Sequence, residues 1–345
     1  PPATLTNDDL ATFLDTNDEW IVSRTGMKER RISHVTVTEL GHVAATRALA
    51  AAGVDAADLE LIVFCSTTFD QMCPNAASGV QRLLGAHRAG CFDLNTACTG
   101  FMYGLSAATA MVRCGSVRSA LIIGAETIST IMDWNNRDVA VLFGDGAAAA
   151  VIEASDREEG LLAESLGCYG EVREILTVHG WGTGYLNDGG VRGDTWWQFE
   201  GQDIFKRAVS GMGKAGKSVL EKTGLSMDDV DLVVPHQANL RIIDALGRRL
   251  DVEHEKIYVN VHRYGNMSAA TAPVALVEAL EEGRVAAGYN ILMPAFGGGL
   301  TWSAHLIRWG ERVTPLGESD VVLPPCDKTG LELVHRIMRG RGKWS

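Results

Sequence analysis

The order of apolar and helical segments in the first half of the chain recurs in the second. LELIVFCSTT, in the 60s, returns as DLVVPHQAN at 231–239. GCFDLNTACTGFMYGLSAATAMVRCG, from Gly90, returns as IYVNVHRYGNMSAATAPVALVEALEEG at 257–283. SALIIGAETI returns as NILMPAFGGG at 290–299, and GAAAAVIEA as WSAHLIRW at 302–309. Each half reads strand, turn, strand, buried helix, strand, strand. Four segments matching in order point to an internal duplication rather than to chance likeness.

That repeat restricts the fold. The strands are near-continuous apolar runs, as in a sheet covered on both faces, so the class is α/β. Residues 76–84 and 98–114 read as helices, the second apolar all round and hence deeply buried. The expected division is a half over 1–155, a second half over 156–310 and an extension over 311–345. Residues 155–200 read as loop-rich, because GWGTGYLNDGGVRGDTWWQFEG is full of turn formers. A loop that long is usually functional or disordered. LELVHRIMRGRGKW reads as a short basic amphipathic helix, solvated at the end of the chain.

With 345 residues, 46% hydrophobic and 21% charged, the chain has room for two domains or one large duplicated one. A net charge of −12 argues against nucleic acid, which needs a basic face. No apolar run reaches the roughly 18–20 residues of a membrane span, and no signal peptide stands at the start. The seven cysteines are scattered without a CxxC pair. Neither a structural zinc nor a disulfide framework is expected, and the reading is a reduced, cytoplasmic protein.

Three residues carry candidate chemistry. Cys98, in NTACTGF, stands where a strand gives way to a buried helix. The positive end of that helix favours the thiolate, the nucleophilic form. His236, in VVPHQAN, follows a buried strand, and Asn266, in YGNMSAAT, stands at the turn into the second buried helix. Taken alone, such a cysteine is more often core, such a histidine structural and such an asparagine a cap. Ligands of α/β sheets bind at strand ends. A duplication that brings the two helix starts together would place all three around one pocket.

NTACTGF, PHQANLRII, YGNMSAAT, FGGGLTW and the early DTNDEWIVSRTGMKERRI together resemble the motifs of the β-ketoacyl-acyl carrier protein synthase III family. The likeness runs from about Leu5 to Trp309. It implies the thiolase fold, a duplicated α-β-α-β-α five-layer architecture. It also implies a decarboxylative Claisen condensation in fatty acid biosynthesis. In that reaction Cys98 takes an acyl group from acyl-CoA, and malonyl-acyl carrier protein supplies the second carbon unit. The backbone N–H groups of Cys98 and Gly298 would form the oxyanion hole. His236 and Asn266 would donate to the malonyl thioester oxygen. Both acyl-CoA and malonyl thioester are substrates, so no cofactor is implied, and a homodimer is.

The same resemblance assigns Trp20, Arg24 and Arg137 to the adenine and phosphates of CoA, and Phe205 and Asn239 to the pantetheine tunnel. Gln202 stands where the family often has Asn. Acidic carrier protein needs a local basic patch. Lys206, Arg207, Lys214 and Lys217 supply one, extended by Arg241, Arg248 and Arg249. Cys73 stands where short-primer members often have Phe, which implies a deeper acyl pocket and medium or longer primers.

Against the family's usual pattern, the strand expected ahead of the LTND-like segment is missing, and the tail runs on after Trp309. Because the chain opens on Pro1 rather than Met, further native residues are expected upstream. Related readings are a thiolase-like acyltransferase, a polyketide or head-to-head condensing enzyme, and a non-catalytic ketosynthase-like scaffold subunit. Scaffold partners tend to lose the nucleophile.

Overall fold

The computed structural model describes residues 1–182 and 195–340. Strands β1 (Ala3–Thr6) and β2 (Glu29–Ile32) form an antiparallel ribbon. Next come β3 (Leu61–Cys65), β4 (Gly90–Leu94), β5 (Ser119–Glu126) and β6 (Gly146–Glu153), which form one sheet in the order β4-β3-β5-β6. Strand β7 (Gly160–Cys168) follows, then a hairpin of β8 (Leu176–His179) and β9 (Trp196–Phe199). Strands β10 (Leu232–Val233), β11 (Asn290–Gly297) and β12 (Thr301–Arg308) complete the second sheet, in the order β10-β11-β12-β7.

The duplication is visible in register. Leu61 pairs with Ala120 in the first sheet, and Leu232 with Ile291 in the second. Both members of the pair move by the same 171 positions. In each sheet the next strand, β6 or β12, then runs antiparallel.

Alternation along the strands builds the layers. Leu61, Val63 and Cys65 face a core shared with Leu232, Val234, Ile291 and Met293 of the second sheet. Between the sheets lie the two buried helices, Gly100–Arg113 and Thr271–Glu281, whose Phe101, Leu105, Ala272 and Ala275 fill that core. The opposite faces point outward. Ile62 and Phe64 pack under the helices Val37–Ala52 and Ala76–Leu84. Val233, Leu292 and Leu306 pack under Gly201–Thr223 and Leu240–Leu250. The result is helix, sheet, helix, sheet, helix.

Three segments differ from the sequence reading. β7 occupies part of the stretch read as loop. It is an edge strand, so only Leu161 and Ala163 are buried while Leu166 is exposed, and its apolar signal is weak. Gly167 is required there, because a Cβ would lie 2.0 Å from the Trp302 ring. The strand read in DLVVPHQAN shrinks to Leu232–Val233, since Pro235 has no N–H to give a ladder. IYVNV keeps only an isolated bridge, Val233 to Ile257, before the chain turns into a short helix, Val261–Tyr264. Residues 183–194 of the loop-rich segment and the last five residues of the basic tail lie outside the described residues.

The tail after β12 straps back over the first half. Leu316 N–H donates to the Ala51 carbonyl (2.9 Å), and His34 Nε2 meets the Pro324 carbonyl (2.7 Å). The chain ends in the helix Gly330–Gly340, which buries Leu333 and Val334 against the β1–β2 ribbon. Among the described residues no helix is long and apolar enough to cross a membrane.

Candidate active site

The two buried helices open with the same turn. Asn95 Oδ1 accepts the Ala97 N–H (3.2 Å), and Asn266 Oδ1 accepts the Ser268 N–H (2.8 Å). Ala97 and Ser268 both take a left-handed backbone, φ 50° and 49°. Non-glycine residues rarely adopt it, so the strain is held by the surrounding structure. Asn266 is therefore the repeat partner of Asn95, and Cys98 is the partner of Ala269. The twofold relation brings the two turns together without equating their functional residues.

The contact is direct. The Cys98 thiol lies in hydrogen-bond reach of the Ser268 hydroxyl and of the Asn266 side chain. Because Asn266 Oδ1 is taken by Ser268 N–H and Thr271 Oγ1 (3.4 Å), its amide NH₂ is the group left to face the sulfur. The turn is tied across the pseudo-twofold by the Thr99 and Thr301 hydroxyls, 2.8 Å apart. Gly297 at the end of β11 abuts the nucleophile. A Cβ there would lie 2.7 Å from Cys98 N and 3.0 Å from Thr99 N.

His236 follows β10, with its N–H donating to the Pro294 carbonyl of β11 (2.8 Å). β11 thus holds His236 three residues before the glycine that touches Cys98. The imidazole is buried, and Nδ1 has no partner among the described residues. Burial pushes its pKa down to about 3, so the ring is neutral at pH 7. Burial pushes the Cys98 thiol up to about 12, against weaker downward pulls from Ser268 and Asn266. This corrects the expectation of a helix-stabilised thiolate. Desolvation outweighs the half-charge at the helix end, and that helix begins only at Gly100.

Cys98 and Gly298 line one cavity of about 750 Å³. Its walls come from the Thr67–Met72 loop, Ile128, Ile131, Phe143 and the β8–β9 hairpin. Cys73 lies just beyond that loop, exposed and outside the wall.

Trp20 is clamped between Arg24 (4.4 Å) and Arg137 (4.8 Å), with Arg137 also paired to Asp15 (3.3 Å). Gly26, just past Arg24, packs against Leu240, so this cluster adjoins Asn239 and Arg241. Asn239 Oδ1 caps its own helix through the Ile242 N–H (2.9 Å), which leaves only its NH₂ for a ligand. Phe205 is half-buried on the helix Gly201–Thr223 and Gln202 is exposed.

The basic run on that helix is partly neutralised. Lys206 pairs with Asp203 (3.5 Å) and Arg207 with Glu171 (3.8 Å), while Lys214 lies over Trp302. The acids were missed because they lie before the run, or far from it in sequence. Arg241, Arg248 and Arg249 are exposed, and so is Lys217.

Glu126 was also missed in the sequence. Completely buried at the end of β5, it accepts from Thr67 N–H (3.1 Å), Ser66 Oγ (3.0 Å) and Thr68 Oγ1 (2.7 Å). Burial raises its pKa, against a smaller downward pull from nearby Ser268. The available signal was a carboxylate closing an otherwise apolar strand, SALIIGAE, within reach of Ser66-Thr67-Thr68. No group of carboxylates, histidines and cysteines able to hold a metal occurs among the described residues.

A duplicated five-layer fold with a cysteine at one buried-helix start and an asparagine at the other defines the thiolase-fold condensing enzymes. Residues 92–170 match the family described as 3-Oxoacyl-[acyl-carrier-protein (ACP)] synthase III, and residues 220–309 its C-terminal part. The chain is 51% identical over 338 residues to beta-ketoacyl-[acyl-carrier-protein] synthase III 2 of Vibrio cholerae, covering 98% of this chain and 93% of that protein. It superposes on the 3-oxoacyl-[acyl-carrier-protein] synthase III of Aquifex aeolicus VF5 with TM-score 0.83 and 42% identity, over 90% of this chain and 96% of the other. The priming beta-ketosynthase of the R1128 polyketide pathway gives TM-score 0.84 and 34% identity, over 90% and 93%. The chain belongs to the β-ketoacyl-acyl carrier protein synthase III family and is a ketosynthase of the acyltransferase class.

Proposed function

We propose that the protein condenses an acyl-CoA primer with malonyl-acyl carrier protein through an acyl group carried on Cys98. The sulfur attacks the thioester carbonyl, the carbon–sulfur bond to CoA breaks, and the Cys98 proton leaves with the CoA thiol. The Cys98 and Gly298 N–H groups hold the developing oxyanion. Malonyl thioester then loses CO₂, and its enolate oxygen accepts hydrogen bonds from neutral His236 and the Asn266 NH₂. The enolate carbon attacks the acyl-Cys98 carbonyl and expels the Cys98 thiolate, which takes up a proton from solvent to close a ping-pong cycle. One observation carries the reading. The Asn266 amide is locked oxygen-inward by Ser268, so that its donors face the nucleophile.

Arg24 and Arg137 suit the phosphates of CoA, and a guanidinium drawn off Trp20 to a phosphate frees that ring face for the adenine. The apolar cavity wall suits an alkyl primer of medium length. A homodimer is part of the reading. β4 is an edge strand, and Phe69 and Met72 stand exposed beside the cavity where a second copy would cover them. The likeness to the priming ketosynthase supports a second reading, chain initiation for a polyketide.

Mass spectrometry after incubation with acyl-CoAs from acetyl to octanoyl tests the acylation step. A mass increase on the Cys98 peptide is expected, and none in Cys98→Ala. Turnover undiminished in Cys98→Ala would overturn the reading. A strict preference for acetyl-CoA would reject the longer primer.

A further inference from the structure

The C-terminal helix Gly330–Gly340 is amphipathic, and its two faces have different fates. Leu333 and Val334 are buried against the β1–β2 ribbon, with Ile337 half-buried beside them. The opposite stripe carries Glu332, His335, Arg336 and Arg339, and with Lys328 just ahead of the helix they surround a cleft of about 330 Å³. The chain as a whole carries a net charge of −12, so a cationic face runs against its overall balance.

The acid on the stripe is engaged elsewhere. Glu332 caps its own helix, accepting from Thr329 N–H (2.7 Å) and Thr329 Oγ1 (3.1 Å). Lys328 pairs with the neighbouring exposed Asp327 (3.2 Å) and also attracts the Glu332 carboxylate. Arg336 and Arg339 are exposed and pair with no acid among the described residues.

Packed side chains connect the helix to the site already described. His335 meets Phe13 edge-on at 5.8 Å, and Phe13 meets Trp134. Two residues beyond Phe13, Asp15 holds Arg137, the guanidinium over Trp20. The same helix packs on the turn Ile128–Thr130, whose Ile128 and Thr130 line the Cys98 cavity.

We infer that this helix is a docking face for the acidic carrier protein, added beside the substrate mouth by the tail that follows β12. The inference rests on the condensing reading above. Arg336 and Arg339 on the helix, with Lys328 just ahead of it, match an extended acidic surface rather than one phosphate. Among the described residues no free aromatic ring lies on the cleft to stack on an adenine, because His335 meets Phe13. A bilayer is disfavoured too, since the apolar face an amphipathic helix would insert is already spent on the ribbon.

The test is titration of ¹⁵N-labelled bacterial holo acyl carrier protein with the full chain, wild type against Arg336→Glu/Arg339→Glu. Both side chains are exposed, so the fold should be retained, as a thermal melt will check. The expected result is a tenfold or greater rise in Kd at low salt, with Arg336→Gln/Arg339→Gln intermediate. The KM for malonyl carrier protein should rise in parallel, with kcat and the KM for acyl-CoA unchanged. An unaltered Kd overturns the proposal. An equal rise in the acyl-CoA KM assigns the cleft to CoA phosphates and overturns it as well. So does co-sedimentation of wild type, but not the variant, with phosphatidylglycerol vesicles. If malonyl carrier protein is not consumed by wild type, the condensing reading fails while the titration still decides the cleft.

Discussion

At Cys98 the physical question is how a thiol pushed up to about 12 becomes a nucleophile. Ser268 has a single hydroxyl proton and lies between Cys98 and Glu126, so it can serve only one of them at a time. A thiolate must therefore form with substrate in place rather than wait preformed. Alkylation of Cys98 by iodoacetamide in the free protein should be slow at pH 7 and rise about tenfold per pH unit toward pH 10. Peptide mass spectrometry reads this directly, and a plateau near pH 7 would contradict it. Asn266 separates the two half-reactions. Asn266→Ala should still acquire an acyl group on Cys98 but lose condensation by about 10²–10³-fold, seen as acyl-enzyme that accumulates and is not discharged. Cys98, His236 and Asn266 could be singled out in the sequence because each sits in a motif long enough to resemble a family, and in the structure Cys98 and Asn266 sit near each other. Glu126 could not be singled out, because its partners are 58 to 60 residues away and no local pattern announces them.

At the scale of elements, local signals and tertiary demands part company. The helix Ala76–Leu84 begins after Asn75, whose Oδ1 caps Ser78 N–H, and ends at Gly85 in a left-handed turn. Both ends are written in residues that chemistry makes specific, and the reading of 76–84 matched. β7 has no such punctuation. It is a strand because β12 offers it a full antiparallel partner, and nothing within GLLAESLGC says so. β10 fails in the other direction, since its apolar run promises more ladder than Pro235 permits. The end of β11 is set by what it must approach. Gly297→Ala would drive a methyl to 2.7 Å from Cys98 N, where the backbone has nowhere to give. The expected outcome is a folded protein, destabilised by about 1–3 kcal/mol, with little or no acylation of Cys98. A urea midpoint and acyl-enzyme yield measured together check it, and normal acylation would show that β11 can retreat.

For the whole molecule, two histidines are locked in the core as neutral rings. His236 follows β10, and His305 of β12 reaches across to the buried helix, where Nε2 meets Ser106 Oγ at 2.8 Å. Burial depresses both to about 3. In the unfolded chain each returns to about 6.5. Between those values the unfolded state binds more protons, so stability falls as pH drops through this window and is complete above about 6.5. Asp145 acts in the opposite sense. Burial raises it to about 6, so between about 4 and 6 the folded state holds the extra proton, which offsets one histidine there. The net slope should therefore be close to that of one histidine below about pH 6, and Glu126, also raised by burial, opposes in the same sense as Asp145. Replacing His305 by Gln keeps a polar partner for Ser106 but removes one titrating group. His305→Gln should lose less stability than wild type between pH 7 and pH 5, by about 1–2 kcal/mol at about 1.4 kcal/mol per unit. Urea unfolding at half-unit pH steps measures the difference. Identical slopes in the two proteins would mean that His305 already carries its proton in the folded core.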